Sequence, residues 1–143
     1  AEAVIAIEHI CEVENLKEMK YDNIPGCTYC EPEVASVGLT QEQAEDSGYD
    51  IKIGKFPFRA LGKSLADGNH EGFVKVIYDA KYGELLGCHI IGHNASNLIS
   101  EVSIARTLET TYNEILNTVH PHPTLSEAIQ EATADAFDEA IHL

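Results

Sequence analysis

Residues 72–91 read Gly72-Phe-Val-Lys-Val-Ile-Tyr-Asp79, then Ala80-Lys-Tyr-Gly83, then Glu84-Leu-Leu-Gly-Cys-His-Ile-Ile91. Two apolar, strand-like runs flank a short linker that ends in glycine. That spacing predicts an antiparallel hairpin, because so short a connection can only join neighbouring antiparallel strands. Working upstream, Tyr49 to Phe58 alternates and predicts another strand, with Pro57 near its end where a missing N–H is tolerated. Thr28 to Gly38 predicts an extended stretch interrupted by Pro32. Between these lies Thr40-Gln-Glu-Gln43, a capping box in which hydroxyl and amide each satisfy an orphan backbone donor. A helix therefore opens at Thr40, and Gly48 closes it. Residues 59–71 hold Gly62, Gly68 and Asn69 and predict a loop with a short helical turn.

Downstream the period changes. Asn94 is a candidate N-cap for a long helix to about Leu108, with Leu98, Ile99, Val102 and Ala105 on its apolar face. A short helix follows near Tyr112 to Asn117. The last helix is expected to start after Pro123. Its apolar stripe is Leu125, Ala128, Ile129, Ala132, Ala136 and Ala140; its polar one is Glu127, Glu131, Asp135 and Asp138. Strands first and helices later predict an α+β fold, an antiparallel sheet covered by helices. Residues 1–13 predict a further helix, with Val4, Ile7 and Cys11 on one face. It starts with no cap, as if inside a longer sequence. Residues 14–26 read as a connector ending in the turn signal Pro25-Gly26.

The chain of 143 residues suits a single core without staples. Its 24 acids against 9 bases give a formal charge of -15, which repels phosphate backbones and anionic membranes. From Thr107 to Leu143 there are seven acids and no Lys or Arg. No apolar run approaches the ~20 residues a membrane helix needs, and no secretory signal is seen at the N-terminus. Cys11, Cys27, Cys30 and Cys88 are too scattered for a disulfide framework, so a reducing, cytoplasmic setting is expected. No glycine-rich phosphate loop occurs.

Cys27-Thr-Tyr-Cys30 could be a redox pair or half of a zinc site. Redox pairs sit at helix N-termini that lower the thiol pKa; here the surroundings are extended, and no second ligand pair follows at short spacing. The segment His120-Pro-His-Pro-Thr-Leu-Ser-Glu127 carries more. Thr124 and Glu127 can form a capping box, with both histidines as plain loop residues. In the same geometry, Glu127 can accept an imidazole N–H, fix its tautomer and make the other nitrogen a general base. A metal site of His120, His122 and Glu127 is a third reading, lacking a fourth ligand nearby. His9, His70, His89, His93 and His142 read as surface or satisfied residues.

The His120-to-Ala128 run closely resembles the C-terminal signature of dihydrolipoamide dehydrogenases, in the pyridine nucleotide-disulfide oxidoreductase family. Pro32-Glu-Val-Ala-Ser-Val-Gly38, Gly54-Lys-Phe-Pro-Phe58, Gly72-Phe-Val-Lys-Val76 and Leu86-Gly-Cys-His-Ile-Ile-Gly92 are similar to the family's other interface-domain landmarks. The resemblance spans about residues 24–143. It implies a dimerisation domain there, and in residues 1–23 a remnant helix and connector from a preceding flavin and nicotinamide region. It further implies a homodimer in which His122 is the acid/base, Glu127 its carboxylate partner, and the Pro123 carbonyl meets the partner's FAD. The full-length enzyme would use FAD and NAD and associate with 2-oxoacid dehydrogenase complexes; the chain by itself is expected to bind neither cofactor and to be inactive. The family's C-x4-C disulfide is absent, and Cys27 with Cys30 does not align with it. Another flavin disulfide reductase, a metal- or partner-binding module and a redox protein using Cys27 and Cys30 remain alternatives.

Overall fold

The computed structural model describes residues 1–16 and 18–142; Lys17 of the connector and Leu143 lie outside them. The expected hairpin is β4 (Phe73–Asp79) and β5 (Leu85–Gly92), with Phe73 opposite Ile91 and Val76 opposite Cys88. Three more strands complete the sheet: β1 (Gly26–Thr28), β2 (Glu33–Gly38) and β3 (Ile51–Pro57). The order is β1-β2-β5-β4-β3, and every neighbouring pair is antiparallel. The register slips between Ile77 and Tyr78, leaving Leu86 as an extra residue. Such a bulge re-aims side chains. Leu85 and Cys88 consequently share one core, while Leu86 joins Ile77 and Ala44 on the opposite face.

Helices cover this antiparallel sheet, as the α+β reading expects, and they do so on both faces. On one side lie α4 (Ala95–Thr107) and α6 (Glu127–Ala136), with α5 (Tyr112–Asn117) beside α6. Leu98, Ile99 and Val102 of α4 and Ala128, Ile129 and Ala132 of α6 meet Val74, Val76, Tyr78 and Ile90 of the sheet. Each fully buried Val, Ile or Phe contributes about 1.5–3 kcal/mol through removal from water. On the other side, α2 (Gln41–Asp46) docks through Ala44. Its capping box forms as read from Thr40 and Gln43. The short turn expected in 59–71 is α3 (Gly62–Asp67).

The position of α6 matters most, because it carries Glu127. The helix lies so close over β3 that a Cβ at Gly54 would overlap the Ala132 carbonyl and the Ala136 amide. Asp135 Oδ2 accepts the Lys55 N–H at 2.8 Å. In the core, the Thr133 hydroxyl donates to the Ile129 carbonyl at 2.8 Å, so the buried Tyr78 O–H, 2.9 Å away, donates to Thr133 Oγ1. Burial holds the Tyr78 phenol protonated by raising its pKa. At the far end, Phe137 stacks on Tyr112 with ring centroids 3.7 Å apart. Backbone, buried hydroxyls and stacked rings thus fix the helix at separate points.

Several expectations need correction. The last helix starts at Glu127, not at Thr124: the Thr124 hydroxyl donates to the Pro121 carbonyl at 2.7 Å, and the half of the capping box in which it would accept the Glu127 N–H is not made. Asp138, at positive φ, ends that helix, so Asp138 and Ala140 fall beyond its stripes. Asn94 does not cap α4 with its side chain; it sits in the left-handed region at φ 60°. Glu33 Oε2 caps instead, accepting the Ser96 N–H at 2.9 Å. The Ser96 hydroxyl and N–H hold the Glu33 carboxyl below its usual pKa. The first helix, α1 (Glu2–Ile10), forms but buries nothing, and leaves Val4, Ile7 and Ile10 exposed. Asn23, read as connector, bonds α4 through the Ser103 carbonyl at 3.0 Å and Thr107 Oγ1 at 2.8 Å.

Candidate functional site

The loop between α5 and α6 presents the two histidines. Thr111 and Glu114 form a reciprocal capping box at the start of α5, which ends at Asn117. The chain then runs through Val119, Pro121 and Pro123, all exposed. Glu127 lies in the first turn of α6 and closes the loop. One of its oxygens, Oε2, accepts the Thr124 N–H at 2.8 Å, and the other, Oε1, accepts from His122 Nδ1 at 2.7 Å. Burial alone would raise the Glu127 pKa, but the Thr124 N–H and the His122 ring outweigh it and hold the carboxyl below its ordinary value. Glu127 thus serves as loop staple and imidazole partner together, one oxygen for each task.

With Nδ1 on a carboxylate, the His122 ring carries its proton there when neutral, and Nε2 is left as the basic lone pair. The side chain is 79 % exposed, whereas Glu127 is only 20 % exposed. An open ring held from behind by a sheltered carboxylate can take a proton from an approaching group and return it. Pro123 stands exposed beside it. A cavity of about 530 Å³ adjoins the pair, with Phe56, Leu61, Leu116 and Ile141 among its walls.

His120 turns away from His122. Its Nε2 lies 2.8 Å from Glu101 Oε1 on α4, and its Nδ1 lies 3.2 Å from the Thr118 carbonyl. The two histidines therefore serve different carboxylates, and the geometry does not bring His120, His122 and Glu127 onto a common point. Among the described residues, no three His, Cys, Asp or Glu side chains are placed to share a metal ion. Sequence reasoning missed Glu101, which is 19 residues from His120 and carries no local motif. It also missed that His142 Nδ1 bonds Glu131 Oε1 at 2.6 Å. His89 is satisfied by the Leu39 carbonyl at 3.0 Å. Cys27 lies on β1 and Cys30 in the exposed turn after it, where its thiol donates to the Pro32 carbonyl at 3.1 Å. All four cysteines are free thiols.

A family model described as the pyridine nucleotide-disulphide oxidoreductase dimerisation domain matches residues 24–133. The chain belongs to that family, as its dimerisation domain. The dihydrolipoyl dehydrogenase of Zymomonas mobilis is 50% identical over 141 residues, covering 99% of this chain and 30% of the relative. The enzyme of the same name from Bacillus subtilis is 46% identical over 141 residues, again 99% of this chain and 30% of the relative. Among solved structures, LpdA from Mycobacterium tuberculosis superposes with a TM-score of 0.82 at 25% identity, covering 90% of this chain and 28% of that one. The chain thus spans about 30% of the length of the curated relatives it matches.

Proposed function

We propose that this chain is the dimerisation domain of a dihydrolipoyl dehydrogenase, and that it supplies the acid/base to its partner's active centre. Residues 24–143 would form that domain and residues 1–23 a helix and connector from the preceding region. The observation that carries the reading is the His122–Glu127 bond at 2.7 Å on an otherwise exposed ring. In a homodimer, the loop tip of one subunit would reach the redox disulfide of the other. As a dihydrolipoamide thiol attacks that disulfide, one sulfur bond forms and another breaks; His122 Nε2 takes the thiol proton, and Glu127 stabilises the imidazolium. FAD would pass the resulting electron pair on to NAD in domains that this chain does not contain. The Pro123 carbonyl would meet the edge of the partner's flavin, a reading supported by the exposure of Pro123 beside His122. The substrate would be presented on a 2-oxoacid dehydrogenase complex, and a reducing, cytoplasmic setting would suit four cysteines that are all free thiols.

The test uses the full-length enzyme that carries this domain. His122→Gln is expected to lower dihydrolipoamide-to-NAD turnover by about 10²–10⁴-fold, the usual scale of general acid/base catalysis. NADH-driven reduction of a quinone dye, which needs no thiol deprotonation, should persist. Unchanged turnover with dihydrolipoamide would remove His122 from the role.

A further inference from the structure

The role proposed for this loop uses one of its two histidines. The other is the more enclosed: the His120 side chain is 4 % exposed, and its two nitrogens face the Glu101 carboxylate at 2.8 Å and the Thr118 carbonyl at 3.2 Å. Both partners are acceptors only. A neutral imidazole has a single N–H and can serve one of them; an imidazolium donates to both. The geometry thus calls for a charged ring, and the ionised Glu101 offsets its burial. The hydrogen bond that His120 donates to Glu101 raises the His120 pKa above its ordinary value, against the lowering effect of burial. The carboxylates coupled to the ring are Glu101 from α4 and Glu127 from the start of α6, and the His120 charge in turn helps keep Glu127 ionised.

Only Pro121 separates His120 from His122. Its φ is fixed by the pyrrolidine ring, so a displacement of one histidine is passed on to the next with little slack. The Pro121 carbonyl is itself held by the Thr124 hydroxyl at 2.7 Å. Resting on the reading of His122 as the acid/base, we propose that Glu101 and His120 are its positioning pair, a charged bond that ties the catalytic loop to α4 and sets where His122 is presented. Neither residue touches substrate. Their effect is geometric, and acid/base transfer tolerates little displacement: about 1 Å of misplacement can cost a factor of ~10².

The experiment uses the full-length enzyme with Glu101→Gln, His122→Gln and the double variant. Glu101→Gln should lower kcat with dihydrolipoamide by about tenfold while leaving KM, bound flavin and NADH-driven dye reduction near wild type. In the His122→Gln background it should cost nothing further, since a residue that acts through His122 has nothing left to position. His120→Asn approaches the same bond from the other side and should match Glu101→Gln. Glu101→Gln at wild-type rates beside a crippled His122→Gln would overturn the inference alone. Equal losses in dihydrolipoamide and dye reactions would also overturn it, by showing a merely structural role. Full dihydrolipoamide activity in His122→Gln would overturn the reading of His122 and this inference with it.

Discussion

Glu127 is the residue on which the candidate site turns, since one carboxylate there closes a loop and orients a ring. Glu127→Gln keeps the shape but loses the charge that favours an imidazolium. In the full-length enzyme it should reduce dihydrolipoamide oxidation by about 10²-fold, read as kcat in steady-state kinetics. Stability follows from the same charges. The raised His120 pKa means that its ion pair contributes fully below the ordinary value of 6.5 and is lost as pH rises through the raised value. The lowered Glu127 pKa acts in the opposite sense, contributing above the ordinary carboxylate value of 4.5 and fading as pH falls through the lowered one. Urea midpoints for the chain should therefore decline as pH is raised above 6.5, and Glu101→Gln should flatten that decline. A midpoint that stays level in the unmodified chain would deny His120 its charged state.

The elements show why parts of this molecule were legible in sequence and parts were not. The hairpin, the α2 capping box and the apolar face of α4 rest on spacing, which a chain displays directly. Thr124-Leu-Ser-Glu127 also displays a complete capping box, yet only its carboxylate half forms, because the helix begins at Glu127 with Ser126 as its N-cap and the Thr124 hydroxyl is turned to the Pro121 carbonyl. The cap on α4 comes from Glu33, 63 residues away, and the partner of His120 from another helix. Such long-range bonds leave no periodic trace. The His122–Glu127 pair could be read because both residues flank one helix start. The seating of α6 could not, although it decides where Glu127 stands. Thr133→Val would leave the buried Tyr78 hydroxyl without its acceptor and should cost about 1–3 kcal/mol in urea unfolding. Adding Tyr78→Phe should recover part of that loss, and a purely additive double variant would show that the two hydroxyls are not coupled.

At the scale of the whole molecule, charge and thiol exposure make separate predictions. Two copies each carrying -15 repel as they approach. Sedimentation should show any self-association of this chain tightening as salt rises from about 0.01 to about 0.15 M, over which the Debye length shrinks from ~30 to ~8 Å. Weaker association at higher salt would place attractive ion pairs at the interface instead. Burial pushes the Cys88 thiol up to about 12, so a thiol reagent at neutral pH should label exposed Cys11 and Cys30 in the native chain and Cys88 only after unfolding.

The uncovered side of α1 has a practical consequence. Val4, Ile7 and Ile10 form an apolar strip at the surface of a folded chain. A dye such as ANS, whose fluorescence rises on such surfaces, would report what is usually taken for a loosened, partly unfolded protein. Here the near-ultraviolet dichroism of Tyr78 and Tyr112, both packed around Phe137, should stay intact while the dye glows. Removing residues 1–13 should abolish most of that fluorescence and leave the dichroism unchanged.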